Sequence, residues 1–90
     1  MEIEILQNEK EMVEFRLKGE RHTFPQLLKY YLLKDPKVEF ASYKLKHPQD
    51  SDSLFILKTK GKTPKAALQD ASKKIKEHAA EFKKNLKALK

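Results

Sequence analysis

The chain has no cysteine, so neither a disulfide framework nor a thiolate metal site is open to it. No apolar run approaches the roughly 20 residues of a membrane span. The acidic start, Glu2-Ile3-Glu4-Ile5, lacks the basic beginning of a signal peptide. These absences predict a soluble, cytoplasmic protein. Asparagine is confined to Asn8 and Asn85 while 37% of residues are charged, a balance that resembles hyperthermophile composition. Ninety residues make a single domain over 1–90, and a domain of that size buries only about 60–70% of its unfolded surface. Little core is to spare.

What is present is basic charge, +7 in total, and it is unevenly placed. The segment from Pro64 to Lys90 holds eight lysines against Asp70, Glu77 and Glu81, a net of +5, which leaves +2 for the rest. An excess gathered in one segment invites a nucleic-acid reading.

Hydrophobic periodicity divides the chain. Glu2-Ile3-Glu4-Ile5 alternates like a half-buried strand; Val13, Phe15 and Leu17 alternate with Glu14, Arg16 and Lys18 in a second, and the two pair as a hairpin. Thr23-Phe24-Pro25-Gln26 starts a helix, with Thr23 and Gln26 spaced as a capping box and Pro25 in the first turn. Asp35-Pro36 stops it after about Lys34. Phe24, Leu27, Leu28, Tyr31 and Leu32 form one broad apolar face, with Tyr30 and Leu33 outside it. A helix with so little polar surface is buried on more than one side, and a chain this short cannot bury it twice. Another protein chain is the natural cover.

Val38 to Lys46 reads as a strand with mixed faces: Val38 and Phe40 on one, Ala41, Tyr43 and Leu45 on the other. Either a bulge shifts the register or both faces are covered. After a turn-rich loop from His47 to Ser53, Leu54 to Lys60 is a fourth strand. Thr63 caps and Pro64 opens a final helix of up to 27 residues, with Leu68, Ile75, Phe82 and Leu89 at intervals of seven and Leu86 beside them. At about 1.5 Å per residue it reaches roughly 40 Å, more than a four-stranded sheet covers. The order β-β-α-β-β-α predicts a two-layer α+β sandwich: a four-stranded, mainly antiparallel sheet, both helices on one face, the C-terminal one long.

The chemical suspects are weak. Gly61-Lys62-Thr63 looks like the end of a phosphate-binding loop, but Ile56 stands where that loop needs its first glycine, and Pro64 follows. A turn and helix cap account for it. Asp50-Ser51-Asp52 has Leu54 where a calcium loop needs its third ligand, so it reads as a solvated loop. His22, His47 and His78 lack close metal-ligand spacing. No serine sits in a recognisable nucleophile setting, and no catalytic constellation, metal site or cofactor site emerges. On the last helix Lys73, Lys76, Lys83, Lys84, Lys87 and Lys90 lie away from the apolar stripe with no aromatic on their face. A solvated face is the first reading of these lysines. A free-standing basic module binding nucleic acid through this helix is the alternative.

Gly19-Glu20, His22-Thr23, Leu27-Leu28, Pro36, Val38, Phe40-Ala41, Tyr43 and His47-Pro48 carry a resemblance to a known family. It is that of the small dimerising RNA polymerase subunits: archaeal subunit L, its eukaryotic counterparts, and the dimerisation domain of the bacterial alpha subunit. Phe55 to Thr59 resembles the family's next strand, and the helix from Pro64 its dimerisation helix. Where many relatives have Leu-Gly-Asn after the His-Thr pair, this chain has Phe24-Pro25-Gln26. The resemblance implies a non-catalytic assembly subunit that pairs with the larger RNA polymerase subunit known as D, forming a platform for the catalytic and other small subunits. DNA would then be met only through the assembled enzyme. By position it implies one interface helix with Thr23, Phe24, Leu27, Leu28, Tyr31 and Leu32. The other would carry Leu68, Ile75, Phe82, Leu86 and Leu89.

Overall fold

A computed structural model describes residues 2–47, 49 and 51–86. It contains β1 (Glu2–Glu9), β2 (Met12–Lys18), α1 (Thr23–Leu32), β3 (Val38–Lys44), β4 (Ser53–Thr59) and α2 (Pro64–Leu86). The strands form one sheet in the order β1-β2-β4-β3, every neighbouring pair antiparallel. This is the α+β order expected, with both helices on one face. Leu28, Tyr31 and Leu32 of α1 and Ala67 and Ala71 of α2 share a single core with Val13, Phe15, Leu17, Ala41, Phe55 and Leu57 of the sheet. Phe15 and Phe55 stack at its centre, ring centroids 5.3 Å apart.

The mixed faces of the third strand resolve into a bulge. The register shifts between Val38 and Phe40, so Val38 opposite Thr59, Ala41 opposite Leu57 and Tyr43 opposite Phe55 all lie on the helix side. Phe40 turns outward and stays 46% exposed. One extra residue lets a strand of apparently contradictory pattern keep one inner face. A second register shift falls between Ile5 and Gln7 in β1.

The two helix starts differ. Thr63 Oγ1 accepts the Ala66 amide at 3.2 Å, and Gly61 turns the chain at φ 75°, so Gly61-Lys62-Thr63 is a turn and cap. At α1 the expected capping box is not made. Thr23 is already helical, His22 is the N-cap, and no side chain caps the end. Pro25 has no amide at the position a Thr23 cap would reach first. The next amide, of Gln26, is taken by the His22 carbonyl at 2.9 Å. The His22 ring instead meets the Tyr43 hydroxyl, Nδ1 to oxygen 3.2 Å.

Candidate partner interface

The broad apolar surface of α1 splits in two. Leu28, Tyr31 and Leu32 enter the chain's own core, Phe24 packs at its edge, and Thr23 is exposed. Leu27, Tyr30 and Leu33, spaced by three and hence neighbours on a helix surface, form a second stripe at 39%, 56% and 51% exposure. Lys34 Nζ lies 4.5 Å from the centre of the Tyr30 ring. Its hydrogen bond to the Tyr30 hydroxyl raises the Lys34 pKa above the ordinary lysine value. Tyr30 and Leu33 fall outside the interface set expected from the family pattern. The sequence signal was there: both stood off the main face, and an apolar residue off the core face is left for solvent or a partner.

Along α2 burial fades with distance from the sheet. Ala67 and Ala71 are buried, Leu68 and Ile75 pack against the core, and every described residue from Lys76 onward is exposed. Within that exposed length Phe82 and Leu86 continue the apolar stripe at 66% and 43% exposure. Leu89 lies outside the described residues, as do Lys87 and Lys90. Beyond His78, which meets Tyr31 of α1, the helix projects through Leu86 over roughly 12 Å.

Polar contacts fix the two helices against each other. The Tyr31 hydroxyl is hydrogen-bonded to His78 Nδ1, with the rings edge-on at 5.3 Å. At the other end Lys62 bonds both Asp35, at 2.6 Å, and Asp70. Such a frame holds the exposed stripes in fixed relation, as a recognition surface requires.

His22 and His78 are taken up by tyrosines on different elements, and Asp52 accepts the Gly19 amide at 2.8 Å. Among the described residues no group of three or more His, Asp or Glu side chains could hold a metal ion, and no helix is long and apolar enough to cross a membrane. What the arrangement offers is an exposed apolar stripe on each helix of a small, highly charged domain, and such patches mark interaction sites.

Residues 12–85 match the family model described as the RNA polymerase Rpb3/Rpb11 dimerisation domain. The chain is 43% identical over 84 residues to a DNA-directed RNA polymerase subunit Rpo11 of Pyrococcus horikoshii, covering 90% of this chain and 88% of that one. Against the subunit of that name from Sulfurisphaera tokodaii it is 39% identical over 90 residues, covering 99% and 97%. A crystal structure of DNA-directed RNA polymerase subunit L from Thermoplasma acidophilum has the same fold, with a TM-score of 0.77 at 22% identity over 96% of this chain and 89% of that one.

Proposed function

We propose, from the premise that the chain belongs to the RNA polymerase Rpb3/Rpb11 dimerisation-domain family, that it pairs one-to-one with D, the larger dimerising subunit of an archaeal RNA polymerase. The pair would be the platform on which the catalytic subunits and the other small subunits assemble, in the cytoplasm, with residues 1–90 acting as one unit. The chain itself is a non-catalytic subunit. The carrying observation is the double apolar surface: one set of α1 and α2 residues completes the chain's own core, and another is left bare.

Burial sorts the interface residues implied by the family pattern. The exposure of Leu27, Phe82 and Leu86 supports their direct contact with the partner, joined by Tyr30 and Leu33. Phe24, Leu68 and Ile75 sit at the border of core and surface, while Leu28, Tyr31 and Leu32 shape the interface from beneath. Fully burying a large apolar side chain contributes about 1.5–3 kcal/mol. Leu27, Tyr30, Leu33, Phe82 and Leu86 are 39–66% exposed, so covering each contributes roughly half of that, and the five together favour association. The lysines of α2 are then the solvated side of a docked helix.

Light scattering of the chain alone, and mixed with the larger dimerising subunit from the same organism, tests the reading. A stable one-to-one complex is expected. No complex, together with salt-sensitive DNA binding by the chain alone, would overturn it in favour of a nucleic-acid-binding module.

A further inference from the structure

We propose that Asp35-Pro36 is a latent self-scission site in this chain, and that the Lys62 ammonium is what keeps it closed. An aspartate before a proline carries its own nucleophile. Attack of the side-chain carboxylate on its own main-chain carbonyl carbon forms a five-membered ring, and intramolecular attack gains heavily from proximity. Proline supplies the leaving group, a tertiary amide nitrogen that departs more readily, once protonated, than an ordinary one. The steps balance. A bond forms from an Asp35 carboxylate oxygen to the Asp35 carbonyl carbon, giving a cyclic anhydride, as the bond from that carbon to the Pro36 nitrogen breaks. The bonding pair leaves with the nitrogen, and a solvent proton completes the new proline amine. One water then opens the anhydride to two carboxyl groups. Nothing is oxidised or reduced.

In the folded chain the nucleophile is tied at both oxygens. Asp35 Oδ2 accepts from Lys62 Nζ at 2.6 Å, and Oδ1 accepts the Lys37 amide at 2.9 Å. The carbonyl that would be attacked accepts the Val38 amide at 3.0 Å. Hydrogen bonds to an ionised carboxylate stabilise it, and a stabilised carboxylate attacks poorly. Lys62 is held in its turn. Its ammonium also bonds Asp70, its carbonyl accepts the Thr59 hydroxyl, and the neighbouring Gly61 amide donates to Glu11 at 2.7 Å. Thus α2, β4 and the β1–β2 turn together position this one cation. Pro36 by contrast is exposed, at an open cleft with Lys73, Lys74 and Glu77, so water and protons reach the bond. Scission there would divide the chain into β1-β2-α1 and β3-β4-α2, halves that pair with each other along β2 and β4. A nicked molecule can therefore stay assembled, and the cut shows only on denaturation.

To test this, the full chain is warmed in mildly acidic buffer, below the melting temperature of every variant compared. Denaturing mass spectrometry follows the fragments 1–35 and 36–90. Lys62→Met should raise the scission rate about tenfold, the factor that about 1.4 kcal/mol of lost restraint gives. Tyr31→Phe, which loosens the same pair of helices without touching Asp35, should leave the rate unchanged. Pro36→Ala should stop scission in either background. In urea, at the same temperature, the unsubstituted chain should fragment faster than it does when folded. Equal rates folded and in urea would show that nothing in the fold closes the bond, and would overturn the inference. So would a Lys62→Met chain that fragments as slowly as the unsubstituted one. An equal rise in Tyr31→Phe and Lys62→Met would assign the rate to general loosening and remove the role of Lys62. No partner enters these measurements, so their outcome is separate from that of the proposed pairing.

Discussion

Lys62 Nζ lies 2.6 Å from Asp35 Oδ2 while also bonding Asp70, so one ammonium group joins the turn after α1 to the second turn of α2. Lys62 and Asp35 keep only 20% and 15% of their side-chain surface exposed. The Lys62 hydrogen bond, then the Lys37 amide, holds the Asp35 carboxyl below the usual carboxylate range. Asp35 first and Asp70 second hold the Lys62 ammonium above the usual lysine value.

Lys62→Met is expected to cost about 1–2 kcal/mol, between the exposed and fully buried limits for ion pairs. A lowered carboxylate pKa contributes stability above the unfolded value of about 3.9, lost as pH falls through the lower folded pKa. A raised lysine pKa contributes below about 10.4, lost as pH rises through the higher folded value. Urea unfolding across pH should therefore show the gap between the original chain and the variant widest near neutrality and closing at both extremes.

The Tyr31–His78 contact joins residues 47 apart in sequence. Tyr31→Phe keeps the packed ring and removes the hydroxyl, at a cost of about 0.5–1.5 kcal/mol. Combined with His78→Ala, the two costs should fall short of additivity by about 0.5 kcal/mol or more in a double-mutant cycle. Strict additivity would show that the bond does not link the helices.

That contact marks where the sequence stopped being legible. The alternation of Val13, Phe15 and Leu17 sets an inner face by itself, and Thr63-Pro64 sets a helix start by itself, because both are local. The bulge at Val38 and Phe40 could be inferred as one of two options, since mixed faces demand an irregularity or double cover. Which side of α1 meets the sheet could not be read. Apolar residues nearly encircle that helix; Tyr30 and Leu33 stood off the main face, but nothing local shows that Leu28 of that face goes in while Leu27 stays out. The bareness of Ile3 and Ile5, 57% and 56% exposed, was hidden for a similar reason: alternation shows that a strand has an apolar face, not whether a helix reaches it. At Thr23 the capping pattern misled because the helix starts one residue earlier, and the His22 carbonyl already takes the Gln26 amide that the box needs.

Gly19 adopts φ 79°, a region that costs residues with a Cβ roughly 1–2 kcal/mol. A Cβ there would meet nothing within 4 Å, so Gly19→Ala should lose stability through the backbone alone. Gly19→Asn should recover part of the loss, since asparagine tolerates this conformation. Thermal melts of the two variants separate this from a packing effect, which would make the larger asparagine worse.

Leu28 and Phe82 both belong to the apolar pattern, but the structure gives them different expected phenotypes. Leu28 is 4% exposed in the chain's own core, so Leu28→Asp buries an unpaired charge and should cost several kcal/mol of folding stability. Circular dichroism of the isolated chain should show the loss of fold without any partner present.

Phe82 is 66% exposed, and pairing is the proposed reason for its exposure. The most direct test is the dissociation constant of the Phe82→Asp variant with the larger dimerising subunit, measured beside the melting temperature of the variant alone. An unchanged melting temperature with affinity weakened about a hundredfold or more is expected, as a charge entering an apolar interface costs several kcal/mol. Unchanged affinity would contradict the assignment of the projecting helix to the partner.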